Sequence, residues 1–476
     1  MSSPAQLRLG TPAARWVLVV TILASGIAFL DGFVVNVSLE AIRDDFGASF
    51  SWQQWVVASY ALTLGAFLLL GGSLGDHLGR RTVFLAGLVV FGVASLACGA
   101  APSVQLLVVF RAIQGIGAAL LVPSSLAIIQ STFVKEDRGQ AIGIWSGVSG
   151  LAIIIGPFLG GLLTDLFSWR LVFLINPPII AFTVWATRRH VPEPRVETRG
   201  RLDIAGAVLI AVALAGIVYV LIEGSRIGWS SPLAVGSLTV GLAALVAFFV
   251  VEARTSHPML PLDLFRIRQF SGANLATLLI YFALSGVSFL TVLQFLGAHG
   301  YSSLQAGAAL APITVLLFFM SPYMGKLATA IGPRIPMTVG PIVAGVGTFM
   351  LTWITEPGPY LTSALPGLVV FGIGLGITVA PLTAAALSAL DEDRAGTASG
   401  VNNAVARIAG LLAPVLLPFA AGIAGIEAPT DPAFAVGFEK AMWIGGALLI
   451  AGGLVSWAMI RREAATEDSA ALPRPV

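Results

Sequence analysis

The sequence predicts an all-α integral membrane protein with fourteen transmembrane helices. Three observations carry this. Hydrophobic residues fill 57% of the 476 positions and charged residues only 11%, where a soluble domain carries about a quarter. The apolar residues come in runs near twenty long, enough to cross about 30 Å of hydrocarbon at about 1.5 Å per residue. The basic residues fall on alternate connections between those runs.

In chain order the runs lie at roughly 16–39, 53–73, 82–100, 104–128, 141–164, 171–188, 203–222, 233–251, 271–297, 304–323, 336–355, 361–386, 397–421 and 440–460. Arg8 and Arg15 before the first run mimic a signal peptide, but that run reaches Leu39 with no small-residue cleavage site and many spans follow. It reads as a first helix, with residues 1–15 a cytoplasmic N-terminus. Residues 16–188 form a six-helix bundle, 189–202 a charged cytoplasmic linker, and 203–251 two inserted helices. Residues 252–270, on the cytoplasmic side, mix Arg266 and Arg268 with Leu260, Leu262, Leu264, Phe265 and Ile267, as an interfacial segment or an ordinary loop does. A second six-helix bundle spans 271–460, and 461–476 form a cytoplasmic tail. With both ends inside, the inner segments hold 20 Arg and Lys, and the outer ones hold 4 (Arg43, Arg170, Arg226 and Lys440). The remaining two, Arg111 and Arg407, lie within runs.

An internal repeat is visible. Gly325–Arg334 lines up with Gly72–Arg81 at an offset of 253, matching Leu327 to Leu74, Gly332 to Gly79 and Arg334 to Arg81. Thr329 replaces Asp76. Gly143 and Gly400, and Pro157 and Pro414, pair at an offset of 257, after Asp137-Arg138 and Asp393-Arg394. Two parallel six-helix halves are a transporter plan, with the substrate held between them near the midplane.

At this point the chain resembles the major facilitator superfamily, and within it the 14-spanner drug:proton antiporters. Gly72-Ser73-Leu74-Gly75-Asp76-His77-Leu78-Gly79-Arg80-Arg81 is similar to the signature loop between helices 2 and 3, although the family usually has a basic residue at the His77 position. Leu30–Leu39, with Asp31 and Asn36, is similar to the helix 1 motif, and Arg111-Ala112-Ile113-Gln114-Gly115-Ile116-Gly117 to the helix 4 motif. Gly143 with Gly156-Pro157-Phe158-Leu159-Gly160-Gly161 is similar to the antiporter motif of helix 5, one of whose glycines is Ala152 here. The resemblance implies the facilitator fold, export of drug-like compounds and proton antiport.

Asp31 is the sharpest candidate for chemistry, because a carboxylate inside a span costs several kcal/mol unless it faces a bundle interior and has work to do. Arg111 lies at a similar depth, about 10 Å from the outer end against about 12 Å for Asp31. Burial favours the neutral acid and Arg111 the charged one, so a proton or a cationic substrate can tip the balance; a static ion pair is the plain alternative. The matching position in the second half is Ser285, which confines proton coupling to the first half.

Gly72, Asp76, Gly79, Arg80 and Arg81 are read as an inner gate, with Asp76 and Arg80 bonding across helix ends. Gly156, Pro157, Gly160 and Gly161 are read as letting helix 5 pack closely and bend. Asn36, Tyr60, Gln114, Gln294, Asn402, Asn403 and Arg407 are read as polar cavity residues; Gln54, Asn176 and Tyr281 also fall in or at the ends of spans. Phe29, Phe33, Trp55, Trp145 and Phe371 can supply apolar wall. So sparse a polar set suits lipophilic or amphipathic molecules better than sugars.

Other classes lack their signatures. The sequence has no P-loop, no hydrolase motif and no metal-ligand cluster, its four histidines reading as loop residues. Its net charge of +2 offers no patch for nucleic acid. Its one cysteine, Cys98, excludes an internal disulfide and reads as packing. The expectation is a proton-coupled exporter of the bacterial plasma membrane, not an enzyme, working as a monomer without a cofactor beyond the proton. The alternatives are a dedicated metabolite transporter and a lipid transporter.

Overall fold

In the computed structural model, residues 7–193, 202–255, 258–355, 358–387, 389, 395–423, 426 and 429–461 are described. Eighteen helices follow one another: α1 (Pro12–Val34), α2 (Leu39–Phe46), α3 (Phe50–Leu78), α4 (Arg80–Gly99), α5 (Val104–Thr132), α6 (Lys135–Leu166), α7 (Leu171–Leu174), α8 (Asn176–His190), α9 (Ile204–Ile227), α10 (Pro232–Arg254), α11 (Arg268–Gly297), α12 (Ser303–Ala309), α13 (Ala311–Ile331), α14 (Arg334–Met350), α15 (Tyr360–Ser363), α16 (Leu365–Leu387), α17 (Ala395–Ala420) and α18 (Pro432–Met459). Among the described residues, thirteen helical spans are long and apolar enough to cross a membrane. In α6, at the place of the expected fifth span, the apolar stretch Ile155–Leu166 is shorter. The protein is a multi-pass, all-helical membrane protein, as its hydropathy predicts.

Local chemistry sets the helix starts. Pro12 and Pro232 open α1 and α10, where a missing N–H costs nothing, and the Thr11 and Ser231 hydroxyls accept from Ala14 and Ala234. The first span runs further than its hydropathy implies, through a 3-10 turn at Asn36–Ser38 and on into α2.

The stretch 72–81, read as a loop, is corrected. It is helical to Leu78, so Gly72 and Asp76 belong to α3, and Arg80 already opens α4. The reversal is made at Gly79, whose φ of +100° suits glycine. Its repeat partner Gly332, at φ +84°, makes the same turn between α13 and α14. The histidine reading also changes: His77 lies in α3 and His190 ends α8. His257, Asp393-Arg394 and most of the linker and tail fall outside the described residues.

By contact the chain divides into two units. One comprises Met1–Pro261, Ser285–Ala311 and Arg407–Ala441; the other comprises Leu262–Leu284, Pro312–Ala406 and Met442–Val476. In the first, α5 meets α3 and α4 backbone to backbone, as glycine allows. A methyl on Gly71 would overlap the Ala119 carbonyl, and one on Gly117 would lie 2.6 Å from the Phe91 nitrogen. In the second, Gly347 and Gly374 bring α14 and α16 equally close, against the Phe371 and Ala344 backbones.

Helices α9 and α10 form a hairpin in the first unit. Leu214, Val218 and Ile222 of α9 pack against Ala58, Leu62 and Ala66 of α3 and against Leu411 and Val415. Glu223, one residue on, accepts from Trp55 Nε1 at 2.9 Å and from Arg226 Nε at 2.7 Å. At the other end, Asp203 caps α9 through Gly206 N at 2.8 Å, and Glu252 of α10 accepts from Leu260 N at 3.1 Å. The two carboxyls meet over Gly206, where a Cβ would lie 2.6 and 2.9 Å from their oxygens.

Candidate functional site

Asp31 and Arg111 meet. The acid is 0% and the arginine 1% exposed, and Arg111 Nη1 bonds directly to Asp31 Oδ2. Beside this pair α5 also packs closely on α3: on Gly115, next to Gln114, a methyl would collide with Thr63 and with the Tyr60 carbonyl. Arg111 Nε donates to the Val56 carbonyl at 3.2 Å, and its guanidinium lies 4.3 Å over the Tyr60 ring. Tyr60 in turn donates to the Ala28 carbonyl at 2.8 Å, one turn before Asp31.

Two amides complete the cage. Gln114 Nε2 donates to Asp31 Oδ1 at 2.9 Å while its Oε1 accepts from Arg111 Nη1 at 2.8 Å. Asn176 Nδ2 donates to the same Oδ1 at 3.2 Å. Ser95 Oγ links the amides, accepting from Gln114 at 3.2 Å and from Asn176 at 3.0 Å, and donates to the Phe173 carbonyl at 2.9 Å. Among the described residues, the three side chains bonded to Asp31 all donate to it. The cage fits a carboxylate, and a proton arriving on either oxygen displaces one of its bonds. The Asn176 Oδ1 is buried without a partner, an acceptor open to rearrangement.

Four helices therefore build one charged knot: α1 supplies Asp31, α4 Ser95, α5 Arg111 and Gln114, and α8 Asn176. The sequence names Asp31, Arg111, Gln114 and Tyr60, and counts Asn176 only among polar span residues. It misses Ser95, since a hydroxyl in an apolar run leaves no mark in hydropathy. Cys98, read as packing, lies 3.7 Å from Gln114 Oε1.

The other cavity residues do not join this cluster. Asn36 lies in the 3-10 turn with its Oδ1 buried and unpaired. Gln294 is fully buried in the C-terminal part of α11. The Arg407 guanidinium lies 5.0 Å over the Phe29 ring. In the second unit, Asn402 donates to Thr277 Oγ1 at 2.8 Å, and Asn403 donates to the Ser399 carbonyl of its own helix. Trp145, offered as cavity wall, is tied to Ser25 Oγ at 3.1 Å, and Phe371 is core.

At the α3–α4 turn, Arg80 bonds Asp76 Oδ1 through Nε at 3.1 Å and Nη2 at 3.0 Å, and reaches the Ala127 carbonyl of α5 at 2.9 Å. Glu193, in the linker, accepts from Arg81 N at 3.1 Å and from Thr82 Oγ1 at 3.2 Å, capping α4. The Asp76 carboxylate is half exposed, so its bond adds little to stability. Asp76→Asn is expected to slow turnover while leaving substrate affinity within about twofold; parallel transport and binding measurements check this.

Three glycines of the helix 5 motif lie at helix contacts. Gly156 and Gly160 face α1, a methyl on Gly160 lying 2.5 Å from the Val34 carbonyl. Gly161 faces α12, where a methyl would overlap Leu304 Cα and lie 2.5 Å from the Ser303 carbonyl. Just beyond, Asp165 accepts from Ser303 N at 3.1 Å and Leu304 N at 2.8 Å, capping α12. Gly143, by contrast, faces open space.

The Major Facilitator Superfamily profile matches residues 21–414. The chain belongs to that superfamily. This bears out the resemblance carried by the motifs. Among its relatives, the puromycin resistance protein pur8 of Streptomyces alboniger is 33% identical, covering 98% of this chain and 95% of that one. A methylenomycin A resistance protein of Streptomyces coelicolor is 34% identical, over 93% and 92%. The multidrug resistance protein Stp of Mycobacterium tuberculosis is 35% identical, over 81% and 72%. Among solved structures, a peptide transporter POT aligns with a TM-score of 0.68 at 16% identity, over 96% of this facilitator and 98% of that chain. A bacterial homolog of the lysosomal transporter Spinster aligns at 0.66 and 18%, over 94% and 97%. These last two share the fold.

Proposed function

We propose that the chain is a proton-coupled exporter of lipophilic or amphipathic small molecules, working by antiport and alternating access in a bacterial plasma membrane, with both termini inside. The observation that carries this is the sealed Asp31–Arg111–Gln114–Asn176 cluster. An acid at this depth with a single arginine as counter-charge is a place to take up and release a proton. The resistance proteins among the relatives support drug-like compounds as the cargo. The driving force suffices: one charge through 100 mV is worth about 2.3 kcal/mol and one pH unit about 1.4 kcal/mol.

The test uses proteoliposomes with an imposed pH gradient and a compound panel that includes puromycin and methylenomycin A. Wild type is expected to move one or more compounds against their gradient, and Asp31→Asn to lose the response to pH. Undiminished pH-driven export by Asp31→Asn removes the proton role. Movement of labelled phospholipid with none of the panel selects the lipid reading instead.

A further inference from the structure

Three arginines from three helix ends converge on one groove in the second unit. Arg268 opens α11, Arg334 opens α14, and Arg461 follows α18; with Gln269 and Met459 they line a groove of about 410 Å³. Arg268 is held there by donating to the Ala458 carbonyl. The Arg334 guanidinium lies 4.1 Å over the Trp457 ring, and its Nε is buried with no hydrogen-bond partner. Among the described residues, no carboxylate forms an ion pair with any of the three. Two helix N-termini add their partial positive charge to the same place, and the C-terminal carbonyls of α18, one of which takes the Arg268 bond, offset part of it. Such a concentration of like charge is self-repelling unless an anion is shared between the guanidiniums, and phosphate oxygens match their donor geometry.

The surroundings select the kind of anion. Trp457 is 54% exposed at the rim, and an apolar strip leaves the groove along both helices, through Ile335 and Val339 of α14 and Leu454 of α18, all exposed. These are the ends of membrane-spanning helices, where tryptophan sits at headgroup level and acyl chains run alongside. We propose that this groove binds the phosphate headgroup of an anionic phospholipid from the adjoining leaflet, its acyl chains lying along α14 and α18. A soluble phosphate uses the arginines but has no use for the strip.

The full chain, purified in neutral detergent, is titrated with phosphatidylglycerol, phosphatidylcholine or inorganic phosphate, and read by native mass spectrometry and thermal unfolding. Phosphatidylglycerol is expected to stay bound and raise the midpoint, phosphatidylcholine not. Arg334→Gln weakens phosphatidylglycerol about fivefold, and Arg268→Gln with Arg334→Gln about twenty-five-fold, as roughly 1 kcal/mol per basic residue requires. Arg334→Lys keeps most of the binding, which separates loss of charge from loss of fold, and the exposed Arg254→Gln has no effect. Equal lipid binding by wild type and the double variant overturns the proposal. Protection by inorganic phosphate equal to that by phosphatidylglycerol overturns the lipid assignment.

Discussion

Arg111→Leu is expected to cost about 3–5 kcal/mol of stability and to abolish transport. That is the usual penalty for stripping a buried charge of its partner. Leucine leaves Asp31 with two amide donors and no counter-charge, in a place with 0% exposure. It also frees the Val56 carbonyl and the face of Tyr60. The informative comparison is the double variant Arg111→Leu with Asp31→Asn. Because the acid then carries no charge, most of the lost stability returns, while pH-driven transport does not. Unfolding midpoints of the two single variants and the double, in one detergent, give the coupling energy directly. Additive losses would mean that the charges do not depend on each other and that the cluster is not a unit.

Gly161→Ala is expected to have the second largest effect, for a steric reason. The added methyl meets the Leu304 and Ser303 backbone, which cannot swing aside as a side chain does. Overpacking costs about 1–3 kcal/mol, enough to move a two-state balance by about 5–150-fold. The arrangement that seats α6 on α12 is the one that loses. A cysteine placed at Asn36, in the neighbouring 3-10 turn, is then expected to react faster with an impermeant maleimide, while transport falls. Gly143→Ala, in the same motif but facing open space, serves as the control and is expected to match wild type. Equal labelling in the two alanine variants would show that the contact is not a gate.

The membrane architecture was legible because its signal is bulk hydropathy, which needs no knowledge of packing. The Asp31–Arg111 pair was legible for a related reason: an ionised group in hydrocarbon is so costly that two at similar depth must find each other. Ser95 and Asn176 were not placed, because neutral polar side chains cost little in a span and their partners depend on helix rotation. The stretch 72–81 was misjudged because glycines and charges register as helix breakers. At the end of a span, however, a helix gains by continuing into the headgroup region, and a single residue with positive φ suffices to reverse it. The repeat was the better guide there, since it aligned Gly79 with Gly332, and both adopt that conformation. The cavity residues were drawn from the whole length of the chain, and polarity alone does not say which of them share a space.

The clasp between Asp203 and Glu252 has an evolutionary consequence. It places the point where the chain enters the α9–α10 hairpin beside the point where it leaves, with Leu260 bonded at the same spot. An excursion with coincident ends can be gained or lost without stretching its host, as in domain insertion. Because it contains two crossings, it also preserves the sidedness of everything that follows. The hairpin is therefore a self-contained parcel, whose gain or loss would leave the entry and exit points of its host in place.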